Sequence, residues 1–231
     1  MPGQRELVVL PVADAVEGAL EPGPQLEWAG HGAVVVGELD GKTTPRIREI
    51  HRLMGIFDEK AVLTPNIWGY LWSKLAYGAL LFATALTNES IADCLAEPKY
   101  RPVLIALARE VVAIATASGV KLEPFDGFDP RAFLPNSGAA AEESLDALVA
   151  HNRRSAKSHS GIWRDLAIRK RRTEVEAQLG PISVTAEKLG LTAPLTRRTA
   201  DLIHAIEDGR RPLSWDTLAE LAKSLPKAAA S

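Results

Sequence analysis

Residues 71–88 read Leu-Trp-Ser-Lys-Leu-Ala-Tyr-Gly-Ala-Leu-Leu-Phe-Ala-Thr-Ala-Leu-Thr-Asn. The uncharged run from Leu75 to Asn88 is about 14 residues long, short of the ~20 that a membrane-spanning helix needs. It reads as a buried helix. Upstream, Thr64 can cap and Pro65 suits a first helical position, so the helix is expected to run to about Ser90. With this helix at its centre, the chain from Thr64 to Ser231 is expected to be all-helical and the fold mainly α.

Working outward, a second helix is expected from Tyr100 or Pro102 to Ala117, stopped by Gly119. Glu123 to Gly138 is rich in Pro, Gly, Phe and Asp. It reads as an ordered loop, because Phe125, Phe128 and Phe133 need somewhere to pack. Further helices are expected over Ala140 to about Asn152, Glu174 to Leu189 and Pro194 to Asp208. Ser214-Trp215-Asp216-Thr217 starts a last one, and Lys227 to Ser231 should fray.

Residues 1–63 differ. Glu6 to Val12 and Ala33 to Leu39 are β-rich runs, and Gln25 to Trp28 alternates. Turns are expected at Glu21-Pro22-Gly23-Pro24 and at Gly30-His31-Gly32. A short helix from Pro45 to Met54 places Ile47, Ile50, Leu53 and Met54 on one face, and Ala61-Val62-Leu63 reads as one more strand. So few strands make little core of their own and look like part of a larger sheet.

The chain has 231 residues, 46% of them apolar, with a formal net charge of −2. That is enough for one large or two small domains, and it excludes a chain that is basic overall. The single cysteine, Cys94, excludes an intrachain disulfide and a zinc site built on several cysteines. One cysteine and no signal-peptide pattern in Met1 to Glu6 suit a cytoplasmic protein.

Gly37-Glu38-Leu39-Asp40-Gly41-Lys42-Thr43 is one residue short of a phosphate-binding loop and reads as a turn after a strand. The five histidines show no metal-ligand spacing, and neither G-x-S-x-G nor G-x-G-x-x-G occurs. Arg153 to Arg172 carries eight cations against one acid, Asp165. It suits a solvated helix face, a small anionic ligand or a nucleic acid. Lys74, beside an apolar wall, can be a surface residue at a helix start or a proton donor. Glu174 can favour a helix N-terminus through the macrodipole, or act in a site.

Several of these pieces together resemble the ketopantoate reductase (2-dehydropantoate 2-reductase) family. They are Glu21-Pro22-Gly23 through Asp40-Gly41, Leu71-Trp72-Ser73-Lys74-Leu75, Ser160 through Thr173-Glu174-Val175-Glu176, and Ala186 to Pro194. The resemblance covers most of residues 20 to 210. It implies an all-helical C-terminal domain of the 6-phosphogluconate dehydrogenase type over 64–231, preceded by the last strands of a Rossmann domain over 1–63. It implies NADPH-dependent reduction of a 2-oxo acid, with Lys74 giving a proton to the new alkoxide. Glu174 and Ser160 would bind substrate. Exposed strand edges and an apolar helical domain make a homodimer the expected assembly, and no nucleic acid or membrane is expected as a partner.

Two departures stand out. Gly78 and Phe82 occupy the positions, four and eight residues after the lysine, where the pantothenate-pathway enzymes carry asparagines. The glycine-rich loop that cradles the cofactor pyrophosphate is missing from the front. A reductase in truncated form and a non-catalytic dimerisation or ligand-binding protein are therefore both expected readings.

Overall fold

The strand Val34–Glu38 (β2) is buried along its whole length, which requires cover on both faces. In a computed structural model of the chain, residues 7–11 (backbone only), 34–125, 127–155 and 157–225 are described. The strand read at Gln25 to Trp28, the two turns beside it and the tail from Lys227 lie outside these residues. The chain divides between Leu71 and Trp72 into two compact units, and the expected boundary after Leu63 falls earlier.

In the first unit, β2 pairs antiparallel with Leu7–Pro11 (β1) and parallel with Val62–Leu63 (β3). The parallel pair needs a crossover, which helix Pro45–Phe57 (α1) supplies. Thr44 caps α1 by accepting from the Ile47 N–H, and Pro45 holds the first helical position. Ile47, Ile50 and Met54 pack on Val34, Val36 and Leu63. On the other face, Val35 packs with Ile67, Leu39, Tyr70 and Leu71. Leu53 does not join the α1 core face. It is exposed, as are Ile56 and Phe57.

The second unit is helical: the remainder of Ile67–Thr84 (α2), then Ile91–Ala96 (α3), Arg101–Ala117 (α4), Ala140–Arg154 (α5), Gly161–Trp163 (α6), Val175–Lys188 (α7), Pro194–Glu207 (α8) and Trp215–Ala222 (α9). The chain after α6 continues as a π-helix over Arg164–Arg169. Among the described residues no helix is long and apolar enough to cross a membrane. α4 is the hub, touching α3, α5, α7, α8 and α9. It is correspondingly apolar nearly all round, with Val103, Leu104, Leu107, Ala108, Val111 and Val112 fully buried.

α2 ends at Thr84, earlier than expected. The chain there tightens, with Leu86 and Thr87 N–H groups bonded three residues back to Ala83 and Thr84. The Thr84 and Thr87 hydroxyls donate to the Leu81 and Thr84 carbonyls, competing with the helix ladder. Ser90 then caps the separate helix α3. The phenylalanine loop is ordered as expected. Phe125 and Phe128 exchange backbone hydrogen bonds, and Tyr77 of α2 packs against Phe128 at 5.4 Å between ring centres. Phe133, on a 3₁₀ turn over Pro130–Phe133, completes the cluster.

α8 has no capping side chain of its own, since its N-cap is Ala193. Instead Glu110 of α4 accepts from the Leu195 and Thr196 N–H groups at 3.0 and 2.7 Å. A carboxylate there satisfies two orphan donors and favours the positive helix end. Glu110→Ala is expected to cost about 1–3 kcal/mol, read as a lower urea midpoint with unchanged slope. An unchanged midpoint would mean that water replaces the carboxylate without loss.

Candidate active site

Lys74 and Gly78 stand one turn apart on α2, hence on one face. Both are half-buried, while Ala76, Ala79, Leu80 and Ala83 are fully buried in the core. Glu174 and Gln178 form a second pair four residues apart, at the start of α7. The two pairs meet. A Cβ on Gly78 would lie 3.3 Å from Gln178 Oε1, and Gln178 Nε2 donates to Glu174 Oε2 at 3.4 Å. The glycine lets the α7 carboxamide approach the α2 backbone, and that carboxamide in turn holds the carboxylate. Gln178 was not evident in the sequence. Its only signal was a glycine inside an apolar helix, where alanine would be more stable by ~1 kcal/mol.

Ser160 is buried and caps α6, its Oγ accepting from the Trp163 N–H at 3.2 Å. Its segment is tied to the chain beyond α2: Ile91 N–H donates to the Ser158 carbonyl, and Trp163 Nε1 to Asn88 Oδ1. Lys74 lies ten residues before the last residue of α2, Thr84, which is about 15 Å along the axis.

Three arginines at the end of the basic stretch are paired within the fold. Arg169 and Arg171 bind Asp165 at 3.0 and 2.9 Å. Arg172 binds Glu207 and Asp208. Glu207, on the last turn of α8, also accepts from the Thr173 N–H and hydroxyl at 2.7 and 2.8 Å, and meets His204 Nδ1 at 2.8 Å. The other ring nitrogen of His204 is 2.7 Å from Glu176 of α7. This network fixes the two residues immediately before Glu174. It joins groups about thirty positions apart, so no local motif announces it.

The Gly37–Thr43 turn does not form a phosphate cradle. Lys42 is paired with Asp40. A Cβ on Gly37 would be 2.5 Å from the Thr64 carbonyl, so the glycine serves strand packing. Glu38 is closed by Arg46 and Thr44, whose hydrogen bonds hold its carboxyl below the usual range. Burial pushes the Cys94 thiol up to about 11, which makes it a poor nucleophile. Among the described residues no group of three or more His, Cys, Asp or Glu side chains is placed to hold a metal.

The family described as "Ketopantoate reductase PanE/ApbA C terminal" matches residues 66–207, more than half of the chain. A curated relative, 2-dehydropantoate 2-reductase of Streptococcus pyogenes, is 23% identical over 77% of this chain and 53% of its own length. The chain thus spans about half the length of that relative. The crystal structure of a ketopantoate reductase of this family from Ralstonia eutropha superposes with a TM-score of 0.58 at 21% identity, covering 78% of this chain and 53% of the other. D-mandelate dehydrogenase, solved with NADH and anilino(oxo)acetate, superposes at 0.61 with 17% identity, covering 80% and 70%. At these identities the likeness shows the fold.

Proposed function

The chain belongs to the ketopantoate reductase family, and from that premise we propose that it carries the substrate-binding and proton-donating half of an NADPH-dependent 2-oxo acid reductase. The observation that carries this reading is the meeting of two helix faces, with Lys74 one turn from Gly78 and Gly78 against the Gln178 that holds Glu174. Lys74 would donate a proton to the carbonyl oxygen as it is reduced. Glu174, oriented by Gln178, would accept a hydrogen bond from the substrate, and Ser160 would bind its far end. A neighbour of the same fold holds NADH and anilino(oxo)acetate, which supports a nicotinamide cofactor and a 2-oxo acid as the ligand classes. α2 itself offers no carboxamide, having Gly78 and a fully buried Phe82, which favours a 2-oxo acid other than ketopantoate.

The Gly37–Thr43 turn does not offer the cofactor's pyrophosphate a cradle, because Lys42 is paired with Asp40 and Gly37 lies against the Thr64 carbonyl. That observation favours a second reading, in which the helical unit is a non-catalytic ligand-binding or dimerisation protein. Fluorescence titration of NADPH into the chain, followed by calorimetry with ketopantoate, phenylglyoxylate and pyruvate, separates the two. Micromolar NADPH binding, with oxidation when a 2-oxo acid is added, supports the reductase. Binding of a 2-oxo acid alone, weakened about tenfold or more in Glu174→Ala, supports the ligand-binding protein. Binding of neither overturns both as ligand-binding readings.

A further inference from the structure

The side chain of Gln178 has two polar ends, and the fold uses one of them. Its backbone N–H bonds back to the Glu174 carbonyl at 3.0 Å, which sets the two residues one helical turn apart on one face. The amide Nε2 then donates to Glu174 Oε2 at 3.4 Å. A carboxylate only accepts, so the NH2 end of the carboxamide faces Glu174 and the carbonyl oxygen takes the other side. That oxygen lies over Gly78 of α2, 3.3 Å from where a Cβ would stand.

Among the described residues no N–H or O–H donates to Gln178 Oε1. The residue is half-buried, and this oxygen is not among the buried atoms closed off from solvent. It is thus an acceptor held in a fixed direction and open to a ligand. On α2, Lys74 stands one turn before Gly78 on the same face. A 2-oxo acid whose carbonyl takes its proton from Lys74 therefore has this oxygen as a neighbour one turn along the helix. No side chain of residue 78 stands between them, because that residue is glycine.

An acceptor placed in this way discriminates between ligands. A hydroxyl that reaches it replaces the water it displaces, whereas a hydrogen or methyl in the same place removes the water and returns no bond. We propose that Gln178, besides orienting Glu174, is a specificity-determining residue: its Oε1, presented through the gap at Gly78, accepts a hydrogen bond from a hydroxyl on the side chain of the 2-oxo acid. The inference rests on the reading that places a 2-oxo acid at Lys74 and Glu174.

The test is calorimetry of the whole chain with two matched pairs of probes, hydroxypyruvate against pyruvate and 4-hydroxy-2-oxobutyrate against 2-oxobutyrate. In at least one pair the hydroxylated member should bind about fivefold or more tightly, the worth of one hydrogen bond. Q178M keeps the length of the side chain and its helix propensity but has no carbonyl, and it should bring that ratio close to one. G78A leaves the carboxamide and its bond to Glu174 in place and sets a methyl against Oε1. It should lower the ratio too, and alanine suits a helix better than glycine, so loss of folding does not explain the change. A ratio that falls in Q178M and stays unchanged in G78A would mean that Gln178 acts only through Glu174, and it overturns the proposal. Binding of the probes without a preference for hydroxyl overturns the proposal and leaves the 2-oxo acid site standing. Binding of none of the four overturns the site itself, and the proposal with it.

Discussion

Lys74→Ala is expected to slow reduction of a 2-oxo acid by about 10²- to 10⁴-fold, the usual contribution of one general acid, while changing NADPH affinity little. A carbonyl that accepts hydride becomes an alkoxide, which needs a proton as it forms. Lys74 is half-buried on the α2 face that meets α7, and the core is made by other residues of that helix. Alanine is the strongest helix former, so the substitution should leave folding intact and the loss should be chemical. Lys74→Arg should not restore the rate, because a guanidinium does not release its proton near neutral pH. The check is the rate of NADPH oxidation, with affinity measured separately, in an assembly of this chain that turns over a 2-oxo acid. Unchanged turnover would return Lys74 to the role of a surface residue on a helix.

The elements that could be read from the sequence are those whose signal is local and repeated. α4 and the body of α2 are long apolar stretches, and the phenylalanine loop betrayed its order by needing a core for three aromatic rings. What escaped was short or distant. α3 has six residues, too few for a period to show, although Ser90 before it is a good cap. The stretch from Arg153 to Arg172 reads in the sequence as one basic run. In the structure its charges have different fates, because the counter-charges on Glu207 and Asp208 lie some 35 residues onward and only folding brings them near.

The candidate site divides in the same way. Lys74 and Glu174 were singled out in the sequence by residue type and motif. That their helices touch through Gly78 and Gln178 is a tertiary fact, and so is the clamp on Thr173. Residues that act directly on a ligand leave chemical types to notice in a sequence, whereas residues that orient them resemble any surface glutamine or glutamate.

Glu207→Ala is the test of that clamp, with an expected loss of about 3 kcal/mol. The Glu207 side chain is only 1% exposed. Its removal would leave the Thr173 N–H and hydroxyl, His204 and Arg172 without their shared acceptor. The same network predicts a pH dependence. The hydrogen bond that His204 donates to Glu176 raises it above its ordinary 6.5, against the opposing effect of burial. Its stabilisation is therefore complete below about pH 6.5 and is lost as pH rises through the raised value. Burial pushes Glu207 up, but hydrogen bonds from the Thr173 N–H, His204 and the Thr173 hydroxyl outweigh it and hold the carboxyl below 4.5. Its contribution is present above about pH 4.5 and disappears as pH falls through the lowered value. Urea unfolding at about pH 5.5 and about pH 8 should show the natural chain less stable at the higher pH, and His204→Gln should shrink that difference. An undiminished difference in His204→Gln would place its origin elsewhere. Because Thr173 directly precedes Glu174, Glu207→Ala should also weaken 2-oxo acid binding under conditions where the variant is still folded. A clamp with a purely structural role would lower the unfolding midpoint and leave that affinity where it was.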